Sequence, residues 1–532
     1  MRLRRRTRYV WLCALGALSV YALNGCAVGP DYRAPTMKMP QQFAAVRSAS
    51  GTVQPPPADA SKPSADASKW WKSLGDDKLS SLVDRAIKAN PQLEIALAHV
   101  QEAREQEAVL MGQALPDLGL SGGAARGTGS DLARGRADQS LVSAENTGTY
   151  QHVTQIYGFV AGWQIDLFGQ YRRELEAARY DEQAARAARN NVLIAIVANV
   201  VRAYVDMRGL QMQLAVLQQN VAVAKSYVDY VTSRYNLGIT NGLDVTLAQR
   251  QLSTLQAEVA PLNSRIDVAQ YIIAIYCGEF PESMVRELST PGQIPQVPEK
   301  LDAGVPLDLL RRRPDINEAE RQLAGATARV GVATANLFPH FAITGSAGYQ
   351  GQGLGVTPAQ SSFIWSAGPA AALPILDFGT LDAMVNIADY NTHAMLMNYK
   401  QTVLGAVEEV DSASSAYAAQ QERLNNLRTA LDASQQAVSL ATQRFDRGLI
   451  DSLNVIDAQR QEFQLEQDYV AAEQVAAEQF VALYRALGGG WEDYQKLPNI
   501  RRPLPAVIAA LVRSVKPNSA KADEDAQGMG GH

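Results

Sequence analysis

The chain has 532 residues, 47% of them apolar, with 49 basic against 54 acidic side chains. That balance excludes a nucleic-acid partner, since phosphates demand a basic face. Five histidines (His99, His152, His340, His393 and His532) show no metal-ligand spacing, and no glycine-rich phosphate loop joins a strand to a helix, so an enzyme is a poor reading.

In chain order, Arg2, Arg4, Arg5, Arg6 and Arg8 precede an apolar stretch, Tyr9–Leu23, which ends in Leu23-Asn24-Gly25-Cys26. This pattern predicts a signal peptide over 1–25. Its end looks like a bacterial lipobox, which implies diacylation of Cys26; Asn24 is a less usual lipobox residue, and a plain secretory cut is the alternative. Cleavage removes five arginines and no acids, leaving 44 basic against 54 acidic residues. Cys13 leaves with the signal and Cys26 takes lipid, so Cys277 stands alone and no disulfide staples the mature chain. No run of 18 apolar residues follows, hence no membrane helix. Residues 26–69, with Pro, Ser and Ala abundant over 40–69, read as a lipid-anchored extended leader.

A first repeat is expected over 70–277. It holds a helix over Leu79–Ala114, strands at 116–126 and 153–167 around an exposed Gly/Ser-rich loop, and then a long helix, Gln170–Leu237. The long helix follows from apolar steps of 3 and 4 through Leu193, Val197, Val200, Tyr204 and Met207, with a polar break at Gln211 and no proline. About 67 residues at 1.5 Å each make a rod of roughly 100 Å, too long for a compact domain. A tip at 236–244 leads into a short helix, Leu243–Tyr276, and a proline-rich segment follows at 278–306.

The second repeat, 307–488, restates the first. A helix over Leu307–Leu337, strands at 339–350 and 362–376, a long helix over Thr380–Ile450, a tip at 446–454 and a helix over Leu453–Leu487 come in the same order. Arg234-Tyr-Asn-Leu-Gly238 returns as Arg444-Phe-Asp-Arg-Gly448, an offset of 210 residues. Leu243-Asp-Val…Ala-Gln-Arg-Gln251 returns as Leu453-Asn-Val…Ala-Gln-Arg-Gln461, and the polar seam break Gln211 returns as Gln421. A gap-free repeat means one unit was duplicated. The shared glutamine is either a register device or a tolerated polar residue near water. A second proline-rich segment (489–505) and a tail (506–532), largely disordered, close the chain; the apolar run within the tail has no functional account.

The four strand segments alternate aromatic or apolar residues with small or polar ones, as Tyr157, Phe159 and Trp163 do against Gly158, Gly162 and Gln164. That is the pattern of a transmembrane β-barrel strand. Pro369 and Pro374 weaken the last. Four strands cannot close a barrel, and an open edge cannot sit in lipid, so copies of the chain must share one barrel. The fold class is therefore mainly α with membrane β.

Cys26-Ala-Val-Gly-Pro-Asp-Tyr-Arg-Ala-Pro35, the two tip motifs and Ala486-Leu-Gly-Gly-Gly-Trp491 resemble the lipoprotein branch of the TolC-like outer-membrane efflux proteins over about 26–492. The resemblance implies a homotrimer with a 12-stranded barrel and a periplasmic helical tunnel. It implies a passive duct that exports small toxic compounds or drugs, with a periplasmic adaptor and a proton-driven inner-membrane pump as partners, and no cofactor beyond the lipid. A duct for protein secretion, or a non-transport envelope coiled coil, are the alternatives.

By family position the gate candidates are Asp244, Asn454 and Asp457, just after the turns, with Arg234, Arg444 and Arg447 able to hold the tips shut through charge-assisted bonds. Crowded carboxylates would raise one another's pKa or bind a cation. Asp457 is the stronger candidate and Asn454 weakens any acidic ring; helix-start capping is the plainer role for all of them. Gly238 and Gly448 need tight turns, and with Leu237, Leu243, Leu449 and Leu453 they form the candidate adaptor-docking surface.

Overall fold

A computed structural model describes residues 27–37, 40, 53–54, 65–128, 151–298, 301–302, 313–353 and 360–494. The signal peptide, Cys26 and the tail 506–532 lie outside the described residues.

Nine α-helices stand among the described residues. In the first half they are α1 (Asp77–Ala89), α2 (Pro91–Gln113), α3 (Gln170–Asn236), α4 (Gly242–Ala257), α5 (Val259–Tyr276) and α6 (Pro281–Glu287). In the second half they are α7 (Pro314–Ala335), α8 (Thr380–Asp446) and α9 (Ser452–Ala486). The long helices α3 and α8 have 67 residues each, rods of roughly 100 Å.

Two predicted helices are each broken in two. Leu79–Ala114 divides at Asn90-Pro91, because a residue before proline avoids the α region; Asn90 sits at ψ 123° and caps α2 by accepting from the Gln92 and Leu93 N–H groups. Leu243–Tyr276 divides at Glu258, three residues before Pro261, which has no N–H to return to the preceding turn. The predicted start of the other short helix at Leu307 lies outside the described residues, and α7 is described from Pro314, where a proline suits the first turn.

The strands are β1 (Val53–Gln54), β2 (Asp117–Thr128), β3 (Gln151–Ile165), β4 (Leu301–Asp302), β5 (His340–Gly353) and β6 (Gln360–Ala372). β1 and β4 form a small parallel pair that joins the leader to the segment after α6. The other four form an antiparallel sheet in the order β2-β3-β5-β6, leaving β2 and β6 as edges. β6 stops at Ala372 instead of 376, so Pro374 lies beyond it, and Pro369 sits in an edge strand, where a missing donor is tolerated.

The register sorts the sheet into two walls. Leu118 and Leu120 share one wall with Tyr157, Phe159 and Trp163, and with Ile343, Tyr349, Phe363 and Trp365, all exposed. Tyr157 stacks on Tyr349 with centroids 5.8 Å apart, and Phe363 meets Tyr349 edge-on at 5.4 Å. The opposite wall carries Gly119, Ser121, Gly158, Gly162, Thr344, Ser346, Gly348 and Ser366, mostly small residues, with Asp117 beside Gly162.

α3 is the organising rod. It packs against α1, α2, α4 and α5 of its own half and against α7 and α9 of the other, whereas among the described residues α8 packs mainly against α7 and α9 and meets α3 at the tip. The densest core lies midway along α3, where Trp70, Trp71, Leu79, Tyr204, Met207 and Phe480 are fully buried and Trp70 stacks on Tyr484 at 5.2 Å. Two polar side chains there reach partners: Tyr204 Oη donates to Asp76 (2.7 Å), and Arg208 Nη1 donates to the Thr290 carbonyl (2.9 Å). The seam break Gln211 is buried, and donates to the Leu288 carbonyl at 3.1 Å. It pins the segment after α6 to the rod. That role supersedes the reading as a polar residue near water.

Candidate functional site: the helical tips

Both tips end by the same backbone device. α3 stops at Asn236, and Gly238 takes φ +72°, which lets its N–H reach the Tyr235 carbonyl (2.9 Å) and the Ile239 N–H reach the Arg234 carbonyl (2.9 Å). α8 stops at Asp446, and Gly448 takes φ +71° with the matching bonds to Phe445 and Arg444, each 2.9 Å. This is a Schellman turn, whose left-handed residue is glycine because any Cβ is strained there.

Inside one chain the two tips are tied together. The Arg234 guanidinium lies 4.9 Å from the Phe445 ring centroid and donates to the Tyr230 hydroxyl (3.0 Å), which donates to Asp446 (2.9 Å). Ser452, buried at the start of α9, donates its hydroxyl to Asp244 at 2.5 Å, and Thr240 donates to the other oxygen of that carboxylate. Tyr227 reaches the Ser452 carbonyl at 3.5 Å, and burial pushes its phenol up to about 12. Burial also acts to raise the Asp244 carboxyl, but the bonds from Ser452, Thr240 and the Asn241 backbone, with the Arg234 charge, outweigh it and hold it below the usual carboxylate range. Asp244 is thus an ionised acceptor that couples the first tip to the second.

The outer end of the tips is apolar. Leu237, Leu243, Leu449 and Leu453 are 74%, 63%, 64% and 56% exposed, with Ile239 beside them. The two turns thus hold four large apolar side chains in water, as the sequence pattern expects of a docking surface.

The model of the family described as "Outer membrane efflux protein" matches residues 82–276 and 305–489, the two repeats. The chain belongs to the outer membrane efflux protein family. It is 30% identical to nodulation protein T of Rhizobium leguminosarum bv. trifolii, over 89% of this chain and 96% of that one. It is 26% identical to the cation efflux system protein CusC of Escherichia coli O6:H1, over 89% and 97%. Among solved structures it is similar to the outer-membrane channel OprN, with TM-score 0.76 and 32% identity over 88% of this chain and all of that one. As a member of this family it is an outer-membrane efflux channel, and its fold is the helical tunnel with barrel strands.

The predicted site residues of this efflux protein separate into two groups. Arg234 and Asp244 meet in the cluster between tips. Asp457 does not: it accepts from Arg460 (2.8 Å) and Gln461 (2.7 Å), one turn further along its own helix. Asn454 is exposed and reaches only the Asp451 carbonyl (3.5 Å). Arg444 and Arg447 are exposed and enter no ion pair among the described residues. Within the chain, Arg234 engages two rings and a hydroxyl, and hydroxyl donors serve Asp244. Tyr227, Tyr230, Thr240, Ser452 and Phe445 were missed as site residues. A signal was present in the repeat register, because Ser452 occupies the position where the first half has Gly242.

Proposed function

We propose that the mature protein is a homotrimeric passive duct, three chains closing a twelve-stranded barrel that continues into a periplasmic tunnel. One observation carries this. The four-stranded sheet has two unpaired edges and one aromatic wall, and only closure with further copies satisfies those edges in lipid. The duct performs no catalysis. A proton-driven inner-membrane pump supplies cargo through a periplasmic adaptor, and the cargo is a small toxic compound or drug. Native mass of the detergent-extracted protein tests the assembly: three copies are expected, and a stable monomer overturns it.

Lipid on Cys26 fits the place where the leader docks. The Val28 N–H donates to the Phe168 carbonyl (3.1 Å), at the foot of β3. Arg173, 5% exposed, donates to the Val28 and Gly29 carbonyls and to Asp31 (2.7 Å). An acyl group one residue before Ala27 would then enter the inner leaflet of the outer membrane of a Gram-negative cell, beside the barrel. Labelling with radioactive palmitate is expected to mark the wild type and to miss Cys26→Ser.

The exposed tip leucines are the docking surface for the adaptor. Leu449→Asp places a charge on that surface without touching the tie between tips, so trimers are expected to persist while drug resistance falls to the level of a deletion strain. Retained resistance would rule the surface out.

A further inference from the structure

We propose that Arg444 of one copy covers the ring of Tyr235 of the partner subunit, and that this joint between copies is the weaker one, which parts when the tips open. The proposal rests on the trimeric reading above.

The chain already contains one example of the joint. Where its first repeat meets its second, β3 pairs with β5, α9 packs on α3, and Arg234 covers Phe445. Duplication at a constant offset means that the second repeat meets the first repeat of the next copy in the same way. β6 then pairs with β2, the α4–α5 pair packs on α8, and each tip contact recurs with its residues advanced or set back by one repeat. Arg234 over Phe445 becomes Arg444 over Tyr235 of the partner subunit. Both groups are available for it in the single chain: Tyr235 is 50% exposed where Phe445 is 6% exposed, and Arg444 is exposed. A guanidinium over a tyrosine face is attracted as it is over phenylalanine.

The hydrogen bonds of the internal joint do not recur. Tyr230 to Asp446 becomes Leu440 opposite Asn236 of the partner subunit, and Leu440 is 59% exposed. Ser452 to Asp244 becomes Asn454 opposite Gly242 of the partner subunit, which has no side chain. Tyr227 to the Ser452 carbonyl becomes Ala437 opposite that same glycine. Three polar ties vanish and one cation–π contact remains. Joints around the ring therefore alternate, strong within a chain and weak between chains, and opening separates three rigid pairs of hairpins.

The test uses the full-length trimer, its mass first verified. Closed-state conductance in planar bilayers is expected to rise roughly threefold or more in Arg444→Ala and in Tyr235→Leu, and no further in the double variant, since contacting residues are not additive. Arg444→Lys keeps the cation and is expected to stay near wild type. Unchanged conductance in trimeric variants, or effects that multiply in the double variant, overturn the proposal. A variant that fails to assemble leaves a second measurement: Tyr235→Cys with Arg444→Cys, bridged by a short bis-thiol reagent. Covalently joined copies that no longer export are expected, whereas the internal pair Tyr230→Cys with Asp446→Cys should bridge within one chain and still export. Absence of joined copies, or export that survives bridging between copies, overturns it. A native mass other than three copies instead removes the assembly on which it rests.

Discussion

Gly158→Val is expected to abolish assembled channels. Gly158 stands opposite Gly348 in the β3–β5 pair, and a Cβ built on it would lie 2.5 Å from the Ala347 carbonyl oxygen and 2.6 Å from the Gly348 Cα. Those are backbone atoms of a paired strand, so no side chain can rotate away, and the strands must separate. Overpacking of this kind costs about 1–3 kcal/mol even in a yielding core. At least that loss falls here on the two central strands of a sheet that has to close with other copies. Gly368 in β6 has nothing within 4 Å of its built Cβ, so Gly368→Ala is expected to assemble normally. Yield of trimer from outer-membrane fractions reads both, and wild-type yield from Gly158→Val would show that the close approach does not constrain the barrel.

Asp244→Ala is expected to loosen the tips far more than Asp457→Ala. The first removes the acceptor of two hydroxyls and leaves Ser452, 2% exposed, with a donor that has lost its partner. An unsatisfied buried donor costs about 1–3 kcal/mol, roughly 5- to 160-fold in the balance between tied and untied tips. Asp457 binds only Arg460 and Gln461 on its own exposed surface, so its loss leaves the tie intact. Single-channel conductance of the isolated trimer separates the two, and equal effects would return the gate to Asp457. The same carboxylate sets a pH dependence. Its pKa is depressed in the folded tip, so its stabilisation is complete above the unfolded value and is lost as pH falls through the folded one. Conductance should therefore rise only on strong acidification, below the usual carboxylate range, and Asp244→Asn should flatten that rise.

The helical and strand periods were legible because each depends on neighbours three, four or two positions away along the chain. The Leu193–Met207 seam needed no knowledge of its partner, nor did the alternation of Tyr157, Phe159 and Trp163. The break at Asn90-Pro91 was legible too, in the proline itself, and was passed over because the apolar pattern continues across it. The tie between tips was not legible for a different reason. Asp244 and Asp457 both follow a Schellman turn, and only the approach of the starts of α9 and α4 brings Ser452 to Asp244.

By itself, the sequence determined that one hairpin unit occurs twice, that its rods are long, and that its strands suit a membrane barrel; these are local periodicities and a constant offset. Only the tertiary structure decided which side chains cross from one repeat to the other. Tyr230 meets Asp446 and Arg234 covers Phe445 across more than 200 residues of chain, at distances set by how two rods cross. A duplicated sequence makes both halves look alike, whereas folding places them in contact through opposite faces. On those faces the arginine and the aromatic ring recur in both halves, whereas Tyr230, Asp446, Ser452 and Asp244 have Leu440, Asn236, Gly242 and Asn454 as their counterparts.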